Sequence, residues 1–168
     1  MRIPITKPDL IISSKIYNFY SRRVKYLDGF LEELNFVTDL IFYFVLLVLV
    51  ASKHPFSILW ASSVYALSVL IQKFFTRKRP YEFFSIDHSN YSARGHSFPS
   101  SHSAAATILL LTYPHLFIVW ILVLIPILRV VTLNHWITDV AGGILLALSF
   151  FVGMKLALPI FQKFLSII

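Results

Sequence analysis

The sequence predicts an all-α fold, a polytopic membrane helix bundle of about five spans preceded by an N-terminal interfacial helix. Three observations lead there. Mean hydropathy is +0.74, and 57% of the 168 residues are hydrophobic while 14% are charged. Several uncharged stretches approach the length needed to cross a bilayer. Polar residues gather in clusters at the ends of these stretches instead of recurring along them.

Residues 1–14 contain no apolar core followed by a small-residue cleavage site, so the first span is expected to direct insertion itself. Residues 15–33 mix Tyr and Phe with Arg, Lys and acids. That mixture suits an amphipathic helix in the interface, with Arg22, Arg23 and Lys25 towards headgroups; a solvated arm is the alternative. The chain is expected to divide into this arm, 1–34, and a membrane domain, 35–168.

The first span is expected from Asn35 to Ser52, with Asp39 in its first turn. The second runs from Phe56 to Phe75 and is stopped by Thr76–Pro80. A polar loop follows, and from Ser101 to Leu128 there is no charged side chain. The stretch TYPHLF (112–117) interrupts that run and reads as a turn. Two helices of about 13 residues would each be about 20 Å long, against roughly 30 Å of hydrocarbon. They would return Arg129 to the side on which His102 starts. The last span covers Ile137 to Leu158, and Pro159 opens an apolar tail.

The formal charge of +7 and pI near 9.8 would fit a nucleic-acid binder in a polar chain. In so apolar a chain the cations are expected to face phospholipid headgroups, flank spans or hold a phosphorylated substrate, and nucleic acid is not an expected partner. The absence of cysteine excludes disulfides, thiolate nucleophiles and Cys-type metal sites.

Three polar clusters carry the chemistry: QKFFTRKRP (Gln72–Pro80), GHSFPSSH (Gly95–His102) and RVVTLNHWITD (Arg129–Asp139). With a hairpin between Ser101 and Leu128, all three fall on one side. Arginines and lysines then converge with histidines, serine hydroxyls and a helix N-terminus capped by Ser100 or Ser101. That is the composition of a phosphate site, with positive charge for the oxygens and imidazoles for proton or phosphoryl transfer. His135 and Asp139, four residues apart at a helix start, face the same way. A carboxylate on one ring nitrogen would leave the other free to attack; a helix-capping Asp beside an interfacial histidine is the alternative.

On these residues the chain resembles the type 2 phosphatidic acid phosphatases, which share their site with vanadium haloperoxidases. The family pattern is K-x6-RP, then PSGH, then SR-x5-H-x3-D. It is met by Arg79-Pro80, by Pro99-Ser100-Ser101-His102, and by Arg129 with His135 and Asp139, across residues 56–158. The resemblance implies His135 as nucleophile forming a phosphohistidine, Asp139 orienting it, and His102 as acid and then base. It implies Arg79, Arg129, Ser100 and the backbone at Ser101 as phosphate holders, with no metal or other cofactor.

Three positions depart from that pattern. Gln72 stands where the family has lysine, and Lys73 follows one residue late, turned about 100° away on a regular helix. Of the two, Lys73 is expected to reach the phosphate, with Gln72 as the alternative neutral donor. Ser101 replaces a glycine, and Leu128 replaces the serine before Arg129. His96 and Arg94 are candidate substrate contacts, with a loop-stabilising role for His96 as the alternative. Gly142, Gly143 and Ala104–Ala106 are expected to permit close helix packing.

The resemblance implies an integral membrane phosphatase whose partners are the bilayer and a phosphorylated membrane lipid, with lipid A 1-phosphate as the first choice. The alternatives are an undecaprenyl diphosphate or phosphatidylglycerophosphate phosphatase, a lipid-to-lipid phosphotransferase, and an inactive lipid-phosphate binder. Six cations in the arm against Lys53, Lys155 and Lys163 on the far side favour a cytoplasmic site. The resemblance implies the opposite, a bacterial inner membrane with the site facing the periplasm or exterior, and that is the expectation taken.

Overall fold

The computed structural model describes residues 2–24, 26–51, 55–86, 96–113 and 116–165. Among these the chain forms helices α1 (Lys7–Ser21), α2 (Leu27–Ala51), α3 (Pro55–Phe74), α4 (Pro80–Phe83), α5 (Ser101–Thr112), α6 (Leu116–Val131) and α7 (Ile137–Leu165). Three are long and apolar enough to cross a membrane, over Leu27–Val50, Pro55–Phe74 and Ile137–Pro159. α5, at 12 residues, is about 18 Å long and falls well short of the roughly 30 Å hydrocarbon layer.

The all-helical class follows from the dielectric: without water, each backbone N–H and C=O must be satisfied within its own segment. The outer faces agree. Phe36, Leu40, Phe44 and Leu47 on α2, and Leu145, Val152 and Leu156 on α7, are large, apolar and exposed. Together they form a surface far more apolar than a water-facing one.

The short helix α5 is the hub, packed against α3, α6 and α7. Its small residues make this possible: Ala104, Ala105 and Ala106 are completely buried, beside Ile108 and Leu109. A Cβ on Gly143 would collide with the Ser100 carbonyl, and one on Gly142 with the Phe98 ring. These two glycines let α7 lie against the chain just before and at the start of α5. The close packing expected of Gly142, Gly143 and Ala104–Ala106 is present.

Several boundaries differ from expectation. The first span starts before Asn35, because α2 already begins at Leu27 and Leu31 is buried against Tyr81 and Leu133. Tertiary contact, absent from a local reading, adds these first turns. Asp39 therefore sits midway along α2, not in a first turn. The arm's helix, α1, runs from Lys7, where Thr6 and Asp9 form a capping box. At the far end α7 continues through Pro159 to Leu165. Losing one N–H costs less there than freeing a whole turn of backbone groups in apolar surroundings. The hairpin expected within 101–128 is present, α5 ending at Thr112 and α6 starting at Leu116.

Candidate functional site

Beyond α3 the chain crosses the end of the bundle in extended form, and its side chains alternate in burial. Thr76 and Lys78 are exposed, while Arg77 and Arg79 are 3% and 5% exposed. Pro80 holds Arg79 extended, at φ −76° and ψ 157°, and Glu82 accepts its N–H at 2.9 Å. Neighbouring loops stitch this segment in place: Ser97 N donates to the Arg77 carbonyl at 3.1 Å, and Trp136 Nε1 donates to the Lys78 carbonyl at 2.7 Å.

His135 lies on the tight connection from α6 to α7. Leu133 turns the chain there at φ 55°, a left-handed conformation uncommon for leucine, and His135 N closes the turn on the Arg129 carbonyl at 2.9 Å. The imidazole is buried. Nδ1 donates to the Ser97 carbonyl at 2.8 Å, and Nε2 faces Arg79 Nη1 at 3.2 Å. A carbonyl on one side and a guanidinium on the other set the tautomer: the proton sits on Nδ1 and the lone pair on Nε2. Burial pushes the His135 pKa down to about 4, with Arg79 and Arg129 contributing and Asp139 opposing. The ring is neutral at pH 7.

Asp139 stands 3.7 Å from His135 Nδ1, beyond hydrogen-bond distance. It is fully buried. One oxygen accepts Trp136 N at 2.9 Å, and the other is ion-paired with Arg77. Its direct partners are thus Trp136 and Arg77, and Ser97 supplies the acceptor that Asp139 was expected to provide.

His102 and Arg129 meet at Asp39. Arg129 pairs with the Asp39 carboxylate, and His102 Nε2 lies 3.4 Å from the same oxygen. The His102 ring is held edge-on by Phe42 and Tyr65, with centroids 5.2 and 5.4 Å away. A cavity of about 220 Å³ between α2, α3 and α5, lined by Phe42, Tyr43, Leu46, Ala61, Ser62 and Tyr65, reaches His102.

Ser100 caps α5, accepting from Ser103 N at 3.4 Å and paired with Ser103 Oγ at 2.9 Å. Ser101 is the first residue of that helix, where backbone N–H groups have no partner within the helix. Lys73 does not reach the cluster as expected. It is exposed, whereas Gln72 is buried and donates through Nε2 to the Pro99 carbonyl at 2.7 Å. α3 stays regular to Phe74, so the 100° offset between neighbours is not bridged. Gln72 is therefore spent on the loop before α5. His96 is half-buried next to Ser97. Arg94 lies outside the described residues.

Three residues the sequence reading did not assign to the site now stand in it. Asp39 joins His102 to Arg129; Arg77 bridges Asp139 to Asp9; and Asp9, on α1, is completely buried. For Asp9 and Asp39 the sequence signal was an acid placed within an apolar run, or close to one; Arg77 lies inside the cluster Gln72–Pro80.

Four of the expected residues thus come together: Arg79, Arg129, His135 and His102. Among the described residues Arg79 has no carboxylate within ion-pair distance, and the Nε atoms of Arg79 and Arg129 are buried without a hydrogen-bond partner. Burial lowers the Arg79 pKa and Arg129 lowers it further, yet a guanidinium keeps its proton. Uncompensated buried positive charge beside a neutral imidazole is chemistry that accepts an anion. No family model, curated protein or solved structure matches the chain.

Proposed function

We propose that the chain is a membrane phosphatase of the type 2 phosphatidic acid phosphatase kind, hydrolysing a lipid phosphate monoester or diphosphate through a phosphohistidine. One observation carries the reading. Among the described residues Arg79 is a buried guanidinium without a carboxylate partner, and its Nη1 lies 3.2 Å from the lone-pair nitrogen of His135. A phosphoryl group drawn to Arg79 and Arg129 would meet Nε2 directly.

In the first step Nε2 of His135 attacks phosphorus and the bond to the lipid oxygen breaks. That oxygen takes a proton from His102. In the second, His102 removes a proton from water, the oxygen attacks phosphorus, and the P–N bond breaks to release phosphate and neutral His135. The N–H groups at Ser101 and the start of α5 would supply further donors to the phosphoryl oxygens.

We read α5 and α6 as a short hairpin that brings the crossings to five and sinks the site below the headgroups. The aromatic-lined cavity at His102 supports a substrate whose hydrocarbon stays among α2 and α3. Lipid A 1-phosphate is our first choice of substrate, in a bacterial inner membrane with the site facing the periplasm or exterior.

The test is phosphate release by purified protein in detergent with EDTA, over lipid A, undecaprenyl diphosphate, phosphatidic acid and phosphatidylglycerophosphate. Release from one of them, abolished in His135→Ala, is the expected result. Transfer of labelled phosphate to a second lipid would make the protein a phosphotransferase. Silence across the panel would sink the phosphatase reading and leave a lipid-phosphate binder. Accessibility of a tag at each terminus decides orientation.

A further inference from the structure

We propose that Asp9, on the N-terminal helix α1, is a positioning residue for His135 that acts through Arg77 and Asp139; the inference rests on the phosphatase reading above. A capping carboxylate needs only the first turn of its own helix, and on an amphipathic arm it would normally face water. Asp9 instead is fully buried. Besides the Thr6 N–H and hydroxyl, it accepts from Thr138 N at 3.1 Å and Thr138 Oγ1 at 2.9 Å, and it pairs with Arg77. Arg77 also donates to the Pro4 carbonyl at 3.1 Å, and through Nη1 it reaches both Thr138 Oγ1, at 2.7 Å, and Asp139. Burial raises the Asp9 pKa, but the hydrogen bonds from Thr6 and Thr138 outweigh it and leave the carboxyl below its ordinary value.

The charge count gives this arrangement its consequence. When Nε2 of His135 bonds to phosphorus, Nδ1 keeps its proton and the ring becomes cationic. Asp139 stands 3.7 Å from that ring, but Arg77 is paired with it and cancels its charge. Asp9 supplies the second carboxylate. Two carboxylates and one guanidinium leave one net negative charge behind the imidazole, opposite Arg79 and Arg129 in front. With Asp9 neutral, the group behind the ring carries no net charge, and among the described residues Arg79, Arg129 and His102 face the developing imidazolium, with Asp39 committed to Arg129.

Asp9→Asn keeps the shape and one of the two acceptor oxygens and removes the charge. The expected result is a kcat about tenfold lower with KM unchanged, by analogy with the loss of an outer carboxylate that orients a metal-bound histidine. Ile12→Ala is the matched control. Ile12 is on the same helix and lines an apolar cavity of about 580 Å³ against α5, α6 and α7, so this variant loosens α1 without touching a charge. Its kcat should stay within about twofold of the parent. If both variants lose kcat in proportion to thermal stability, α1 is merely structural and the inference is overturned. If Asp9→Asn does not accumulate, Thr138→Val removes one anchor of the carboxylate and should lower kcat in the same direction, again without a change in KM; an unaltered kcat would overturn the inference. A readout independent of turnover is the titration of the His135 ring by nitrogen NMR. Its midpoint should move down in Asp9→Asn, and an unmoved midpoint overturns the inference even where the parent releases no phosphate. A parent silent on every lipid phosphate, by contrast, overturns the phosphatase reading.

Discussion

Nδ1 of His135 donates to the Ser97 carbonyl at 2.8 Å, while the Asp139 carboxylate stands 3.7 Å from the same nitrogen. The main chain of the loop before α5 therefore holds the tautomer of a side chain on the loop before α7. Where a carboxylate alone fixes a catalytic histidine, its amide replacement costs about 10⁴ in kcat. Here the tautomer should survive Asp139→Asn. The expected loss is about 10–100-fold, the cost of weaker charge stabilisation, measured as kcat on whichever lipid phosphate the parent hydrolyses. A loss of 10⁴ would make Asp139, not Ser97, the orienting group.

Arg79 should show opposite effects on activity and stability. A buried guanidinium without a carboxylate partner is costly to the folded state, and it is expected to hold phosphate in the reaction. Arg79→Met should lower kcat/KM by about 10²–10³ and leave thermal stability equal to or above that of the parent. A large drop in the unfolding temperature would make Arg79 a structural residue.

Gln72 and Lys73 separate cleanly. Lys73 is exposed, so Lys73→Ala should leave activity within about twofold of the parent and stability within about 0.5 kcal/mol. Gln72→Ala removes the donor to the buried Pro99 carbonyl and should cost about 1–3 kcal/mol in stability. Chemical or thermal unfolding in detergent reads both. A tenfold activity loss in Lys73→Ala would restore that lysine to the phosphate.

The pH behaviour follows from the His135 pKa of about 4, against about 6.5 in an unfolded chain. The unfolded state binds the proton first, so this residue's contribution to stability is complete above about pH 6.5 and is lost as pH falls towards 4. The unfolding temperature should drop across that window, and His135→Ala should flatten the slope. Activity should not lose its nucleophile until about pH 4, so a kcat/KM profile with an acid limb at the ordinary histidine pKa would contradict a buried neutral His135.

The sequence by itself determined what one helix or one short segment decides. The apolar runs specify helices that satisfy their own backbone in a low dielectric. Ser100 before an apolar helix specifies its N-terminus, Arg79-Pro80 specifies an extended residue before a helical turn, and TYPHLF marks where α5 gives way to α6. Those signals were sufficient to place Arg79, Arg129, His102 and His135 at one end of the bundle. Tertiary structure alone decided the partners. Asp39 lies 90 residues from Arg129 in the chain, and Asp9 lies 68 from Arg77, distances over which no local spacing carries information. A buried charge takes its counter-ion from whatever the packing brings within reach, so the identity of each pair is a property of the assembled bundle. The same reasoning explains Gln72 and Lys73. Their order is written in the sequence, but only the rotation of α3 against the loop at Pro99 determines which one is turned inward.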